Sequence, residues 1–521
     1  MKSFSTVWRI ATRALGLPEE HGYAVAAAMV IWALSLVPLW SVHNLPLYDA
    51  PNQLAQVASW LRFSDPSWGL SAHYRLQLLP VPYYGFLAPT WLLGHVFPVA
   101  VAAKLWLSVL AALGPLGAVA MARQFGRSPG LAFFTLPLLF NFNLVMGFLA
   151  FHAGITLLPF VLVAVDRFVA RPSLKSALAI SLLAPALYFC HPLPWLFFGV
   201  AALALALCRR PGLRQIWLGG LLLPSLGLAL WGWSAAQGKA AVDAGAVTIA
   251  GDWPPLLTRL STLPSRLLGG WSTDGVAWMT VVLGGIWLIV IMTARTDEAD
   301  SVAGKDGWPY RLELIFGLAV LCALILPESL THPVGWTMIA SRFWAVAALF
   351  AALLPHGPIV GNRVLLIVAV AVIAAWYPLR LRRAWVGFDH RAASLRKVLT
   401  QIPRGKSTLT VRFEPPPDED LPAVPDIWDH LHAWPQLAAG GVDPFGHTNG
   451  LPLIPLVPPL PLADPKQPAL PPPGERERYD YVLVQDERRG LPLFGPDGAQ
   501  IATLVSESGE FRLYLLRKGE P

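Results

Sequence analysis

Long apolar runs separated by short, often basic, breaks fill the chain from Tyr23 to about Tyr377. A helix crosses the hydrocarbon core with about 20 apolar residues. On that scale the runs predict about eleven spans, at roughly 23–42, 99–122, 131–147, 149–166, 174–190, 193–208, 214–234, 276–294, 312–327, 337–354 and 363–379. Basic clusters lie between them: Arg123/Arg127, Arg167/Arg171/Lys175 and Arg209/Arg210/Arg214. Read as positive-inside marks, these place the N-terminus inside and the C-terminus outside. Residues 78–97 are apolar enough to cross, but a crossing there would invert every later basic cluster. Pro80, Pro82 and Pro89 also make it a poor span. The expectation is an interfacial helix lying on the outer surface.

That choice leaves a long first outer loop, 43–98. It carries an amphipathic helix over Asn52–Phe63, with Leu54, Val57, Ala58 and Leu61 at helical spacing. A second outer loop, 235–275, includes an amphipathic piece, Leu256–Leu268, with Arg259 and Arg266. Residues 295–311 read as a cytoplasmic linker. From about residue 384 charged residues become frequent, and proline is dense between Pro415 and Pro473. Leu409–Phe413, Tyr481–Val484 and Phe511–Leu515 read as strands and Arg391–Gln401 as a helix, with an ordered, extended proline-rich excursion between them. The predicted organisation is a membrane domain, 1–383, and a small soluble extracytoplasmic α/β domain, 384–521. Arg380, Arg382 and Arg383 follow the last span and favour the inside, but long terminal domains largely escape that rule.

Composition agrees with this pattern. Of 521 residues, 55% are hydrophobic and only 14% charged, against about 25% in soluble proteins. The 22 Trp suit a chain with two membrane interfaces. The net charge of +7 is accounted for by the loop clusters, so no nucleic-acid surface is implied. Cys190, Cys208 and Cys322 have no CxxC spacing, which excludes a thiolate metal site. No nucleotide-binding glycine motif is present. The first span has no small-residue cleavage site before it and reads as a retained signal-anchor in a bacterial inner membrane.

Five segments carry a resemblance. Pro80-Val81-Pro82-Tyr83-Tyr84-Gly85-Phe86-Leu87 resembles the surface helix of protein O-mannosyltransferases and of the lipid A aminoarabinose transferase, and Ala118–Arg127 looks like the end of their second span. Asp49-Ala50-Pro51-Asn52-Gln53-Leu54-Ala55-Gln56, Gly147–Gly154 and Arg342-Phe343 resemble the loop, "GFxNFxxG" span and late "RF" of a group of bacterial proteins similar to these. All belong to the GT-C superfamily of polytopic glycosyltransferases. The resemblance implies a mostly α, polytopic fold with a C-terminal α/β domain, a polyprenyl-phosphate-linked sugar donor, and a base in the first outer loop. The loop motif's usual His and Arg are Gln53 and Gln56 here, and no paired acid stands in the first loop.

Such a transfer needs a base for the acceptor's proton, a cation for the phosphate and a groove for the lipid. Asp49, at the membrane face, fits the base; it also stands where a helix N-cap would. Arg342, near the outer end of the tenth span, fits phosphate binding; the alternative is snorkelling to headgroups. His191, His152, Glu328 and His332 all fall near the outer leaflet and could line one cavity with Asp49, or hydrogen-bond at helix ends. Together with Asp49 they contain enough ligands for a divalent ion, which nothing in their spacing demands. Asn141 and Asn143 either contact sugar hydroxyls or stitch helices. Asp429-His430-Leu431-His432 and His447 look like a metal cluster, but packing or capping over the membrane cavity suits them better.

The leading expectation is therefore a transferase with Asp49 as base and Arg342 at the phosphate. Its partners would be a lipid-linked sugar and membrane lipids, with the acceptor, any cofactor and any protein partner left open. A transporter or flippase should show internal repeats with broken spans, and none is evident. A scaffold that has lost its chemistry would explain the missing loop His and Arg.

Overall fold

The computed structural model describes residues 22–209, 212–240, 250–269, 273–293, 308–332, 336–357, 361–413, 427–443, 470–485 and 501–517, with shorter pieces at 359, 445, 452–456, 460 and 493–494. In chain order the helices are α1 (Gly22–Ser41), α2 (Ala50–Arg62), α3 (Tyr84–Gly94), α4 (Val99–Gln124), α5 (Phe142–Val145), α6 (Leu149–Ala170), α7 (Leu174–Cys190) and α8 (Pro192–Leu207). They continue with α9 (Leu213–Ala240), α10 (Leu256–Ser261), α11 (Leu263–Leu268), α12 (Thr273–Met292), α13 (Arg311–Ile325), α14 (Ile339–Ala351), α15 (Asn362–Leu399), α16 (Ala433–Ala439) and α17 (Pro473–Arg476).

The chain is a mostly helical membrane protein. Val99–Gln124, Leu149–Ala170, Leu213–Gly232 and Asn362–Leu399 are long and apolar enough to cross a bilayer by length and composition. The sides of the bundle are apolar as well. On α7, Leu174, Leu178 and Leu182 are exposed while Ile180, Ala184 and Leu187 are buried. On α8, Leu196, Val200, Leu203 and Leu207 are exposed. In water so large an apolar face would be a liability; in lipid it is the expected surface. At the centre stands α6, with 89% of its apolar window buried, packed against α4, α7 and α8.

Three expectations change. The run 131–147 is not one α-helix: it folds as two 3₁₀ stretches, Pro129–Thr135 and Pro137–Phe140, and the single turn α5. Pro129 and Pro137 each start a new stretch, because a proline cannot continue the ladder before it. The segment still links two distant ends of the bundle. Arg127 pairs with Glu313 and His356 at one, and Asn143 bonds the main chain of Arg342 at the other. At the ~2 Å rise per residue of a 3₁₀ helix, residues 128–142 reach about 30 Å.

Second, the helix expected at 391–401 is the end of α15, which runs unbroken for 38 residues through the compositional change near 384. Nothing from Arg380 to Leu399 stops it. Trp385, Phe388, Ala392, Leu395 and Leu399 bury one face at helical spacing. Third, Leu256–Leu268 is two short helices, α10 and α11, with Pro264 opening the second.

All three predicted strands form. β4 (Thr408–Arg412), β6 (Tyr481–Gln485), β7 (Ala502–Ser508) and β8 (Phe511–Leu516) make a sheet of order β4-β6-β8-β7, with β4 parallel to β6 and the rest antiparallel. β1 (Tyr74–Leu76) pairs with β5 (Leu453–Pro455), and β2 (Ala250–Asp252) with β3 (Ser329–His332). Most of the proline-rich excursion lies outside the described residues, as do 294–307, nearly all of the expected linker.

The sheet and the bundle share a core. Phe388 of α15 meets the Trp428 ring with centroids 4.8 Å apart, and Trp428 meets Phe511 of β8 at 5.4 Å. α16 lies on α2, and α2 on α3. The first loop is thereby held between the bundle and the C-terminal segment. α3 spans only 11 residues, about 16 Å at the α-helical rise, too short to cross a membrane.

Candidate active site

The site is built where α2, the turn before α6 and the start of α14 converge. Asp49 sits immediately before α2, with Pro51 in the helix's first turn. Its carboxylate makes no capping hydrogen bond, so the capping alternative is not realised. The main chain holds it instead: Tyr48 N–H donates to Val145 O at 3.0 Å and Asp49 N–H to Met146 O at 3.2 Å. Gly147 makes this approach possible. Its φ is +70°, and a Cβ there would stand 2.5 Å from Asp49 N. Gln53, where the resembled motif has His, donates to Gly147 O. Its amide therefore tightens this turn, work an imidazole would do with different geometry.

The carboxylate of Asp49 receives one side-chain hydrogen bond, from His430 Nε2 to Oδ1 at 3.0 Å. Among the described residues Oδ2 has none, and the side chain is 28% exposed. Beside it, burial and the carboxylates of Asp429 and Asp49 push the Tyr48 phenol up. Tyr48 thus stays protonated and donates to Asp429 Oδ2 at 3.1 Å.

Arg342 lies in the first turn of α14, 8% exposed. Its guanidinium stands 3.6 Å over the Phe148 ring, a cation–π contact. Nη2 donates to Thr337 O at 3.0 Å, and Nε has no partner. No carboxylate among the described residues lies within ion-pair distance, although the charges of Asp49 and Glu328 reach it. His191 faces it, with Nε2 3.1 Å from Arg342 Nη1. Leu193 N–H donates to His191 Nδ1 at 3.1 Å to cap α8. The ring of a neutral His191 therefore carries its proton on Nε2. Two donors then meet at 3.1 Å, an unfavourable contact that an anionic oxygen accepting from both would relieve.

Strain gathers here too. Tyr83 and Met338 are the two non-glycine residues in left-handed backbone among those described, with φ of 80° and 55°. Each such residue costs on the order of 1 kcal/mol or more and persists only where its surroundings dictate it. Tyr83 meets the His191 ring edge-on at 4.9 Å and accepts a bond from Trp336 Nε1 at 3.0 Å. Met338 sets the start of α14, and so the placement of Arg342.

The other expected residues divide. Glu328 accepts from Ser341 Oγ at 2.5 Å and from Ser341 N at 3.2 Å, anchoring α14 at the site's edge. Asn143 is fully buried and donates to Arg342 O at 3.2 Å, while its own Oδ1 has no partner. That bond stitches helices. Asn141 caps α5. His152 is not joined to this cluster: it lines a small apolar cavity with Ser35, Leu39, Leu107 and others. The main chain of His332 pairs with Ala250, and its side chain lies outside the described residues. His447 lies outside them too. Among the described residues no three His, Cys, Asp or Glu gather as metal ligands.

Sequence reasoning passed over Tyr83, and did not connect His430 to Asp49. It also left Arg266 as one charge on an amphipathic piece. In the structure its guanidinium lies 4.2 Å over the Phe142 ring, its Nε is unpartnered, and the charge of Glu328 reaches it. A lone Arg on α11 carries no signal for this; the partner ring is 124 positions away in sequence, between Phe142 and Arg266.

No family model matches the sequence, and no curated protein matches it. Solved structures do. The chain is similar to a mutant form of the arabinofuranosyltransferase AftD from Mycobacteria, with a TM-score of 0.50 and 15% identity, over 94% of this chain and 41% of that one. It is also similar to ArnT from Cupriavidus metallidurans in the apo state, with a TM-score of 0.49 and 12% identity, over 95% of this chain and 98% of that one. Both are GT-C glycosyltransferases. The chain spans well under half the length of AftD, and the expected resemblance to GT-C proteins holds in the path of the backbone.

Proposed function

We propose that the chain is a membrane glycosyltransferase that moves a sugar from a polyprenyl-phosphate-linked donor to an acceptor outside a bacterial inner membrane. The observation that carries this reading is the pairing of unlike, unsaturated groups at one end of the bundle. A carboxylate with an open oxygen, Asp49, stands near a buried guanidinium without a carboxylate partner, Arg342, and a histidine Nε2–H faces that guanidinium. A GT-C fold around them supports the choice of reaction class.

Asp49 Oδ2 takes the proton of an acceptor hydroxyl as its oxygen bonds to the anomeric carbon of the sugar. The bond from that carbon to the donor's phosphate oxygen breaks, and the electron pair leaves with the polyprenyl phosphate. Arg342 and the Nε2–H of His191 hold the departing charge, which grows in the transition state and so lowers the barrier. The exposed apolar helix faces admit the lipid. The same reading assigns about eleven crossings, with residues 128–142 as an irregular one, the N-terminus in the cytoplasm and the 384–521 region outside.

The test uses purified protein in proteoliposomes with a panel of radiolabelled polyprenyl-phosphate sugars. Asp49→Asn is expected to lower turnover by about 10²–10⁴-fold, and Arg342→Ala by about 10²–10³-fold, both with folding intact. Donor binding without turnover, unchanged in Asp49→Asn, would replace the reading with a non-catalytic scaffold.

A further inference from the structure

Three polar contacts in line join Asp49 to residues almost 400 positions later in the chain. Asp49 Oδ1 meets His430 Nε2 at 3.0 Å, His430 Nδ1 meets His432 Nε2 at 3.3 Å, and His432 Nδ1 meets Asp443 Oδ1 at 2.7 Å. Carboxylates only accept, so His430 carries a proton on Nε2 and His432 one on Nδ1. The two nitrogens that face each other at 3.3 Å then both present lone pairs, and the rings meet there by packing rather than by a hydrogen bond. Asn52 of α2 lies 2.8 Å from His430 Nδ1 through its Nδ2, donating to the lone pair that this tautomer leaves there.

Both rings are clamped. The Tyr48 ring meets His430 edge-on at 4.7 Å, and Phe445 meets His432 at 5.4 Å. Asp443 is itself fixed, accepting from Phe445 N at 3.0 Å and donating its own N–H to the Tyr74 hydroxyl at 2.8 Å. Burial works to raise the Asp443 carboxyl, but His432 and the Phe445 N–H outweigh it and hold the group below the usual carboxylate range. Side-chain exposure stays low at Asp443 (5%), His432 (3%) and His430 (6%) and rises only at Asp49, to 28%. A buried polar chain ordered this tightly costs more than an apolar packing of the same volume. It ends on a carboxylate with an oxygen open to the site.

We propose that His430, held by Asn52 and packed between the Tyr48 and His432 rings, is a positioning residue for Asp49: it binds Oδ1 so that Oδ2 is presented to the acceptor, and it makes the C-terminal segment a working part of the reaction centre. The inference rests on the reading of Asp49 as the base. The physical coupling that it claims can be measured without turnover.

The experiment uses the full-length protein in nanodiscs. A glutamine amide nitrogen falls near the position of histidine Nε2, and an asparagine amide nitrogen near Nδ1. His430→Gln should therefore keep a donor to Asp49, while His430→Asn and His430→Ala should not. The expectation is a kcat loss of about 10–100-fold in the Ala and Asn variants, with donor KM within about twofold, and recovery of most of the loss in His430→Gln. Equal losses in Gln and Asn, or losses confined to KM, would overturn it.

A second arm reads thermal unfolding of Asp49→Ala, His430→Ala and the double variant. Non-additive melting shifts support the coupling, and additive ones refute it. If Asp49→Asn proves as active as the wild type, the base reading fails, and the unfolding cycle still decides whether His430 holds Asp49.

Discussion

Two polar clusters occupy opposite ends of the same helix bundle, and they are built on opposite principles. At the end of α6 far from Asp49, the carboxylate of Asp166, fully buried, accepts from Gln124 Nε2 at 2.7 Å and pairs with Arg311 Nε at 3.0 Å and Arg209 Nη2 at 3.5 Å. Nearby, Arg127 holds Glu313, which His356 also meets at 3.1 Å. Every described carboxylate there has a cation, so this end is saturated in charge, although single atoms such as Arg127 Nε and Glu313 Oε2 have no hydrogen-bond partner. At the other end Arg342 has a histidine and two aromatic rings, Asn143 keeps an unpartnered oxygen, and Asp49 keeps an open one. Buried charges are normally paired with opposite ones, and a buried charge without such a pair calls for an explanation such as a bound ligand.

The largest effect should come from breaking the saturated end. Asp166→Ala leaves Arg209 and Arg311, with side chains 9% and 15% exposed, around an empty space. Removing one partner of a buried ion pair costs about 3–5 kcal/mol. The measurement is thermal unfolding in detergent or nanodiscs. A shift within error would mean that these arginines reach water easily and that the cluster is a topological mark rather than a structural joint.

At the Asp49 end the backbone, not a salt bridge, is the joint. In Gly147→Ala a left-handed φ becomes strained and the new Cβ collides with Asp49 N. The expected cost is about 2–3 kcal/mol, with turnover falling further than stability because Asp49 itself is displaced. Unfolding and proteoliposome turnover on the same preparation separate the two. Stability loss with unchanged turnover would show that the turn supports the fold without aiming the carboxylate.

These two ends were not equally legible in the sequence. Basic loop clusters flagged the saturated end but as topology alone, because Asp166 falls inside an apolar run and its partners lie 42 to 145 positions away, from Gln124 to Arg311. Asp49 and Arg342 stood out because each is a charge near the end of an apolar run and also lies in a segment that carries the family resemblance, which Asp166 does not. Hydrophobic periodicity located α2, α4, α6 and the strands well, since each buries one face or is apolar throughout. It missed the break-up of 131–147, where proline spacing overrides apolarity, and the continuity of α15, where a change of composition looked like a change of element. The His430–Asp49 contact was beyond reach for a different reason. It depends on how the C-terminal segment docks on α2, a long-range arrangement that no local pattern encodes.

A third carboxylate, outside the bundle, sharpens the contrast. Asp389 accepts the main-chain N–H groups of His43 and Asn44, each at 2.9 Å, and pairs with Arg396 at 2.7 Å, tying the end of α1 to α15. Burial tends to raise its carboxyl, but these three donors outweigh that and hold it below the ordinary value. A depressed folded value means that its contribution is complete above the unfolded carboxylate range, near pH 4, and is lost as pH falls through the folded value. Asp389→Asn should cost about 2 kcal/mol at neutral pH. Its melting temperature should then fall less steeply than the wild type's below pH 4. Parallel curves would assign the acid loss to other carboxylates.

The smallest stability effect should come from the residue proposed to hold the phosphate. Arg342 is buried, lacks a carboxylate within ion-pair distance and faces a second donor, so the folded state bears its desolvation without a matching ion pair. Arg342→Met keeps the long unbranched stem and the contact with the Phe148 ring while removing the charge. Replacing buried ionic groups by apolar ones of similar volume is often neutral or stabilising, so the melting temperature should be unchanged or higher. Turnover should be lost all the same. An equal substitution at the other end, Arg311→Met, strips Asp166 of a cation and should destabilise. If both arginines respond alike, the two clusters are the same kind of structure, and the distinction between a saturated joint and an open site fails.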